Sequence, residues 1–432
     1  MEAEFFNEWK QGTNMYKHLE LMLTYHCNLN CEYCYIHKNG PTLFPPHLCN
    51  TDTICNNIVK LLTWLGENGM NPNLELFTGE LFSSEDGYRI LECILHFYQS
   101  HFYKYKVPNQ IIVPTNFAFL DTNSDLRVQG IIHSFSEMRI GVFFSASFDG
   151  LYVDPIARPF KSGLERTQRW YDRCFSWLSH MDQLPHPMIA PSTIHLWEKN
   201  FLWFMDMFKK YDMDPKDLYL LEVRNANWTT KNLQDYKHFC EFVMDWIWDY
   251  TLHNPKEFLQ FFCVDTIKHY VGGFNFLGAQ FFSNHSAPGC TIQNYLFVRM
   301  GDLKMFPCHR LAYPQFELGQ LNITDDNQLD LQSKNVALAS EIYSFSPNLL
   351  PMCNKCAIKD LCGGQCYGSC FETTGNMFNP IPTVCALQTI KIKVIIAKLK
   401  EYNVFYDFLG KIDQEKAIQL LRLAEEDEKQ DG

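Results

Sequence analysis

The sequence predicts an α/β protein: a partial barrel of six strand–helix units, then a small cysteine-rich domain, then C-terminal helices. Three observations lead there. Six strand-like segments alternate with helical patterns over residues 1–253. Eight of the 17 cysteines fall within residues 290–385, among glycines and prolines and with little helical periodicity. From Ala386 the helical pattern returns. Six units in series imply parallel strands joined by right-handed crossovers, which suit a partial barrel or a strongly curved sheet. An open doubly wound sheet fits the same pattern, and in each case ligands sit at the C-terminal ends of the strands.

The strand candidates are His18–Thr24, Leu74–Thr78, Gln110–Thr115, Arg139–Ser147, Met188–Pro191 and Leu218–Val223. Thr51 is placed to cap a helix whose apolar positions Ile54, Ile58, Leu61, Leu62 and Leu65 recur at helical spacing. Ser83 or Ser84 opens the next, through Ile90, Ile94 and Phe97; Asn123 or Ser124 opens a third. Residues 200–210 and 232–250 supply two more. Beyond the barrel, residues 254–289 read as a connection, 290–386 as a domain held by metal, and 387–432 as helices with the acidic tail EEDEKQDG, expected to fray.

Hydrophobic residues at 46% and charged residues at 20% allow a large core. A net charge of −12 excludes a global electrostatic footprint for nucleic acid. Lys391, Lys393, Lys398 and Lys400 read as a solvated helix face. MEAEFFNEWKQG has no apolar stretch of a signal peptide, and the most apolar run, Ile390–Leu399, is broken by lysines, so no membrane span is expected. A soluble cytoplasmic protein is the expectation. Disulfides are rare in that compartment, so clustered cysteines read as metal ligands, and Cys93 and Cys174 as buried bystanders.

LTYHCNLNCEYCY places Cys27, Cys31 and Cys34 directly after the first strand. Three thiolates on one short loop hold three corners of a 4Fe–4S cube and leave the fourth iron open. The same spacing suits a zinc ion completed by His26 or His37.

This CxxxCxxC spacing, with Tyr33 before the third cysteine, resembles the radical S-adenosylmethionine (SAM) superfamily. The resemblance implies a cluster on Cys27, Cys31 and Cys34 whose open iron binds the amino and carboxylate groups of SAM. It further implies cleavage of SAM to a 5′-deoxyadenosyl radical that takes a hydrogen atom from the substrate. FTGELF resembles the family's GGEP segment, with Thr78, Gly79 and Glu80 at matching positions; Thr78 and Leu81 depart from it. The resemblance sets Glu80 against the SAM ammonium, and Gly79 permits close backbone approach. Asn116 in PTNF matches a ribose-facing position, and Ser147 in SFDG a SAM-contacting serine. SFDGLYVDPIARPF resembles SxDGxxxxHDxxRxF, which aligns Arg158 with the arginine of that segment; Arg166 is a second candidate for the SAM carboxylate.

CNKCAIKDLCGGQC, with Cys290 and Cys308 upstream and Cys385 downstream, resembles the SPASM domain of radical SAM maturases. Its central Cx2Cx5Cx3C spacing matches; six residues separate Gly301 from Cys308, two more than usual. The resemblance implies two auxiliary 4Fe–4S clusters, the outer on Cys353, Cys356, Cys362 and Cys385 and the inner on Cys290, Cys308 and Cys366. Cys263 and Cys370 are spare candidates for a further ligand. Structural zinc is the other chemistry such loops support.

SPASM members mostly modify peptides or proteins, so the resemblance implies post-translational modification: a crosslink or other oxidation, or an epimerisation. It also implies an external electron donor such as flavodoxin or ferredoxin. The alternatives are a radical dehydrogenase of a small molecule, an anaerobic sulfatase maturase, or a non-enzymatic iron–sulfur electron carrier. Sulfatase maturases carry Asp after the second upstream cysteine, where this chain has His309, a candidate proton acceptor, with a plain surface residue as the other reading. The roughly two dozen residues before Cys27 are too few for a leader-binding domain. Recognition is therefore expected through the cleft, the C-terminal helices or a separate protein. Glu222, Arg224 and Trp228 are offered to such a cleft, with a Glu222–Arg224 structural pair as the other reading.

Overall fold

The structure is a computed structural model that describes residues 18–218, 220–262, 295–323, 329–345, 349–362, 365–412 and 414–430. The chain divides into two compact units: residues 1–147, 159–164 and 291–344, and residues 148–158, 165–290 and 345–432. Strands, and helices of eight residues or more, are numbered in chain order. The first unit begins with β1 (His18–Thr24), α1 (Tyr35–Leu43), α2 (Thr51–Glu67), β2 (Asn73–Thr78), α3 (Glu85–His101), β3 (Gln110–Thr115), α4 (Asp125–Glu137) and β4 (Gly141–Ala146). The second holds α5 (Gln168–His180), β5 (Met188–Ile189), α6 (Trp197–Lys210), β6 (Leu221–Glu222) and α7 (Thr230–Tyr250). The chain then returns to the first unit with β7 (Tyr295–Arg299), β8 (Lys304–Phe306), β9 (Gly319–Ile323), β10 (Leu329–Ser333) and α8 (Val336–Ser344). It ends in the second with α9 (Tyr367–Thr374), α10 (Pro382–Glu401) and α11 (Gln414–Gln430).

An eight-stranded sheet in the order β10-β9-β8-β7-β1-β2-β3-β4 spans the first unit. β7, β1, β2, β3 and β4 run parallel, and β8, β9 and β10 continue antiparallel from β7. β1 is central, and its first six residues are all buried, as expected of a parallel strand covered on both faces. The α/β class and the parallel run β1–β4 follow the sequence pattern. Sequence reasoning gives only a local strand or hairpin near Gly301–Cys308 and does not join residues 295–333 to the main sheet: alternation in YLFVR marks a strand but not the edge it joins. β5 and β6, two residues each, pair parallel in the second unit.

Helices start where side chains can satisfy the free N–H groups. Asn50, one residue before the expected Thr51, caps α2 by accepting from Thr53 N at 2.9 Å. Ser84 caps α3 through Gly87 N at 3.3 Å. Thr229 and Asn232 form a reciprocal capping box that starts α7 ahead of the expected position. Ile54, Ile58, Leu61, Leu62 and Leu65 on α2 are all buried, each contributing about 1.5–3 kcal/mol by transfer from water. α10 starts at Pro382, so Cys385 lies in its first turn, and the acidic tail is helical to Gln430. No helix among the described residues is long and apolar enough to cross a membrane.

The lysine stripe on α10 departs from expectation. Lys391 is 5% exposed, with its ammonium 3.0 Å from Glu222 Oε1, and Tyr236 donates to the same oxygen. Burial opposes the Glu222 charge most strongly, but Lys391 and Tyr236 outweigh it and hold the carboxyl below its ordinary value. Glu222 thus joins β6 to α7 and α10; its partners are these two residues and not Arg224.

Candidate functional site

Cys27, Cys31 and Cys34 lie on the β1–α1 connection, and two clamps fix its path. Gly79 donates to Thr24 O at 3.0 Å and Glu80 N–H to His26 O at 2.7 Å. A Cβ on Gly79 would stand 2.1 Å from His26 O, so glycine alone lets the end of β2 lie against the loop. From residues 159–161, Pro159 O accepts from Asn30 N at 2.8 Å, Lys161 N donates to Asn28 O at 3.0 Å, and Phe160 bridges Leu29. Within the loop, Leu29 N donates to Cys27 Sγ at 3.5 Å. Cys34 is the N-cap of α1. Burial first, then the Glu80 charge, push the Cys27 thiol up to about 12. It gives up its proton readily only to a bound cation.

Glu80 is 1% exposed and accepts from Phe82 N at 3.1 Å, Thr115 Oγ1 at 2.9 Å and Asn116 N at 2.6 Å. The carboxylate expected against a ligand ammonium is engaged by protein donors and ties the ends of β2 and β3 together. Asn116 reaches the cysteine loop directly: its Nδ2 donates to Asn28 Oδ1 at 2.9 Å and approaches Cys27 Sγ at 3.8 Å. Thr78 is the last residue of β2, Tyr33 is half-buried in the cysteine loop, and Ser147 N donates to Thr115 O at 2.8 Å just past β4.

Cys308 and His309 follow β8. His309 Nδ1 lies 3.0 Å from Glu20 Oε2, and its ring stacks on Phe77 at 4.0 Å and 5°. Glu20 stands in register with Glu75 on the neighbouring strand. Burial, then the Glu20 charge, push the Glu75 carboxyl well above the usual range. Tyr35 at the start of α1 carries the Arg310 guanidinium 4.7 Å over its ring. Sequence reasoning missed Glu20, Glu75, Tyr35 and Arg310. The available signal was a carboxylate in the middle of the apolar strand HLELMLT.

In the second unit, Arg158 and Arg166 close on aspartates. Arg158 Nε is 2.9 Å from Asp149 Oδ2; Arg166 Nη1 is 3.4 Å from Asp154 Oδ2 and its guanidinium lies 3.9 Å over Trp170. Tyr171 donates to Asp154 at 2.7 Å, and Asp149 accepts from Met188 N at 2.8 Å. Both arginines, expected at a ligand carboxylate, take part in a buried ion-pair network with Asp149 and Asp154. The SFDGLYVDPIARPF pattern locates these charges but not their partners.

The same unit encloses a cavity of about 60 Å³ lined by Cys353, Cys356, Cys362, Cys370 and Cys385 with apolar neighbours such as Phe345 and Tyr367. The four cysteines expected at one cluster thus converge on a single cavity, joined by the spare Cys370. Cys366 is the N-cap of α9. Burial, then the other three thiols of the set, push Cys385 up to about 11. Cys290 and Cys263 lie outside the described residues. Among the described residues all cysteines are free, and no three His, Cys, Asp or Glu side chains close on a single metal-ion position. A thiol-rich, largely apolar lining is a soft donor set that fits an iron–sulfur cluster, as does the trio on the β1–α1 loop.

No protein-family model matches the sequence, and no curated protein matches it. The fold is similar to that of native anSMEcpe with bound AdoMet, at 17% identity and a TM-score of 0.55 over 89% of this chain and 99% of that one. It is likewise similar to native anSMEcpe with bound AdoMet and Cp18Cys peptide, at 18% identity and a TM-score of 0.54 over 89% and 99%. Streptococcus suis SuiB bound to S-adenosylmethionine matches at 12% identity and a TM-score of 0.45 over 89% and 78%.

Proposed function

We propose that this chain, which has the fold of an AdoMet-bound structure, is a radical SAM enzyme with auxiliary iron–sulfur clusters that modifies a peptide or protein. The observation that carries the reading is the β1–α1 loop: three thiols on one connection, pinned by the backbone of Gly79 and Glu80 and touched by the Asn116 amide. When bound, the cluster and SAM supply a 5′-deoxyadenosyl radical that takes a hydrogen atom from the substrate. Cys27, Cys31 and Cys34 would hold three irons and leave one position open, as a catalytic site requires. Asn116 and Asn28 orient the loop around Cys27. With Nδ1–H donated to Glu20, His309 keeps Nε2 as its basic nitrogen beside Cys308 and can accept a substrate proton.

Cys353, Cys356, Cys362 and Cys385 would hold the outer auxiliary cluster. With Cys370 they line one largely apolar cavity of about 60 Å³, a thiol-rich setting that suits an iron–sulfur cluster. Cys290, Cys308 and Cys366 are the ligands proposed for the inner one. Auxiliary clusters suit a net oxidation such as a crosslink, with an external donor such as flavodoxin or ferredoxin supplying the initiating electron. A peptide substrate is favoured because the similar anSMEcpe structure was solved with one.

The test is anaerobic incubation of reduced protein with SAM and candidate peptides, read by chromatography and mass spectrometry. Deoxyadenosine and a changed peptide mass are expected with the wild type, and neither with Cys27→Ala, Cys31→Ala and Cys34→Ala combined. Intact SAM in every incubation would refute the reading.

A further inference from the structure

Gln365 sits between two of the cysteines assigned to auxiliary clusters in sequence, yet its side chain turns to a third. Nε2 donates to Cys385 Sγ at 3.2 Å and to Ile381 O at 3.2 Å, while Oε1 accepts from Ile381 N at 2.7 Å. The Cys370 thiol, 3% exposed, donates to the same Oε1 at 3.7 Å. Exchanging oxygen and nitrogen would set N–H against N–H and carbonyl against carbonyl at Ile381, so the backbone dictates which end faces the sulfur. The amide is 9% exposed and lines the cysteine cavity. Few waters reach it, and its donor acts at low dielectric.

We propose that Gln365 is a positioning residue that tunes the outer auxiliary cluster, by aiming a fixed N–H at the Cys385 sulfur and stabilising the reduced state. This rests on the cluster assignment above. Hydrogen bonds to ligating sulfurs offset the negative charge that a cluster gains on reduction, and so raise its potential. Cys370 has a part in the same device, because its thiol occupies the amide oxygen and helps hold the nitrogen toward Cys385. In this role Cys370 needs no metal and explains a buried cysteine that the cluster set leaves over. Gln365 contributes to how readily the outer cluster takes an electron, and not to whether it assembles.

The test uses the full chain with Cys27, Cys31 and Cys34 replaced by Ala, so that only auxiliary clusters titrate. Potentials are followed by electron paramagnetic resonance, and iron and sulfide are counted per chain. Gln365→Leu removes the donor; Gln365→Glu keeps the oxygen that accepts from Ile381 N and replaces the donor by a second acceptor. The expected result is unchanged iron with one midpoint shifted negative in both variants, further in Gln365→Glu. The shift should approach a tenfold change in the reduced-to-oxidised ratio, 59 mV for one electron. Unchanged iron with unmoved midpoints overturns the proposal while the cluster assignment stands. Loss of the cluster from both variants also overturns it, because Gln365 would then serve assembly. A parent that binds no iron would remove the cluster assignment itself, and the tuning role with it.

Discussion

At Gly79 the constraint is a distance. The 2.1 Å that would separate its Cβ from His26 O leaves no side chain room without moving the cysteine loop. Gly79→Ala should therefore lose the first cluster, about four iron atoms per chain, while far-ultraviolet circular dichroism stays unchanged. Full iron content in that variant would show that the loop does not depend on this contact. Glu80 lies next to it and does a different task, joining Phe82, Thr115 and Asn116. Glu80→Leu leaves three donors unsatisfied, each costing about 1–3 kcal/mol. Chemical denaturation should show a loss of several kcal/mol. The resemblance to radical SAM segments at strand ends marked Gly79, Glu80 and Asn116. It did not reveal that the Glu80 carboxylate faces Asn116, since direction depends on a strand 35 residues away.

Elements are held to one another by contacts of that distant kind. The Glu222–Lys391 pair links β6 to α10 across 169 residues, and both side chains are nearly enclosed, at 5% and 6% exposure. Removing one member leaves a buried charge, which costs about 3–5 kcal/mol, whereas replacing both with apolar groups is often neutral. Lys391→Met is thus expected to unfold at markedly lower denaturant, and Lys391→Met with Glu222→Leu to recover most of the loss. The pH dependence follows from the lowered Glu222 value. A depressed carboxyl contributes stability fully above its unfolded value of about 4.3 and loses it as pH falls through the lower folded value. The advantage of wild type over Glu222→Gln should hold at pH 6–7 and shrink on acidification below about pH 4. An advantage independent of pH would rule out the ion pair as its source. Charge alone reads Lys391 as part of a wet face, because charge favours solvent unless a partner is buried opposite.

Across the molecule, what was legible in sequence is what is local in sequence. The parallel run β1–β4 and the helices between those strands come from short spacings, whereas the convergence of Cys353, Cys356, Cys362 and Cys385 on one cavity was implied by the resemblance to the SPASM domain. What stayed hidden is long-range: β7 pairing with β1, and His309 meeting Glu20 from 289 residues away. The same contrast predicts a split response to metal removal. The first unit has a buried sheet and aromatic packing among Phe82, Phe119 and Phe144. The stretch from Cys353 to Cys385 instead surrounds a thiol-lined cavity. Stripping iron with reductant and chelator should expose that stretch to protease while β1–β4 amides keep their exchange protection. Equal loss in both regions would mean that metal supports the whole chain.

The most direct measurement is iron and labile sulfide on anaerobically reconstituted protein, with and without Cys27, Cys31 and Cys34. About twelve iron atoms per chain are expected with the cysteines, and about eight without them. A zinc-containing protein, or iron content indifferent to the three cysteines, would contradict a cluster on that loop.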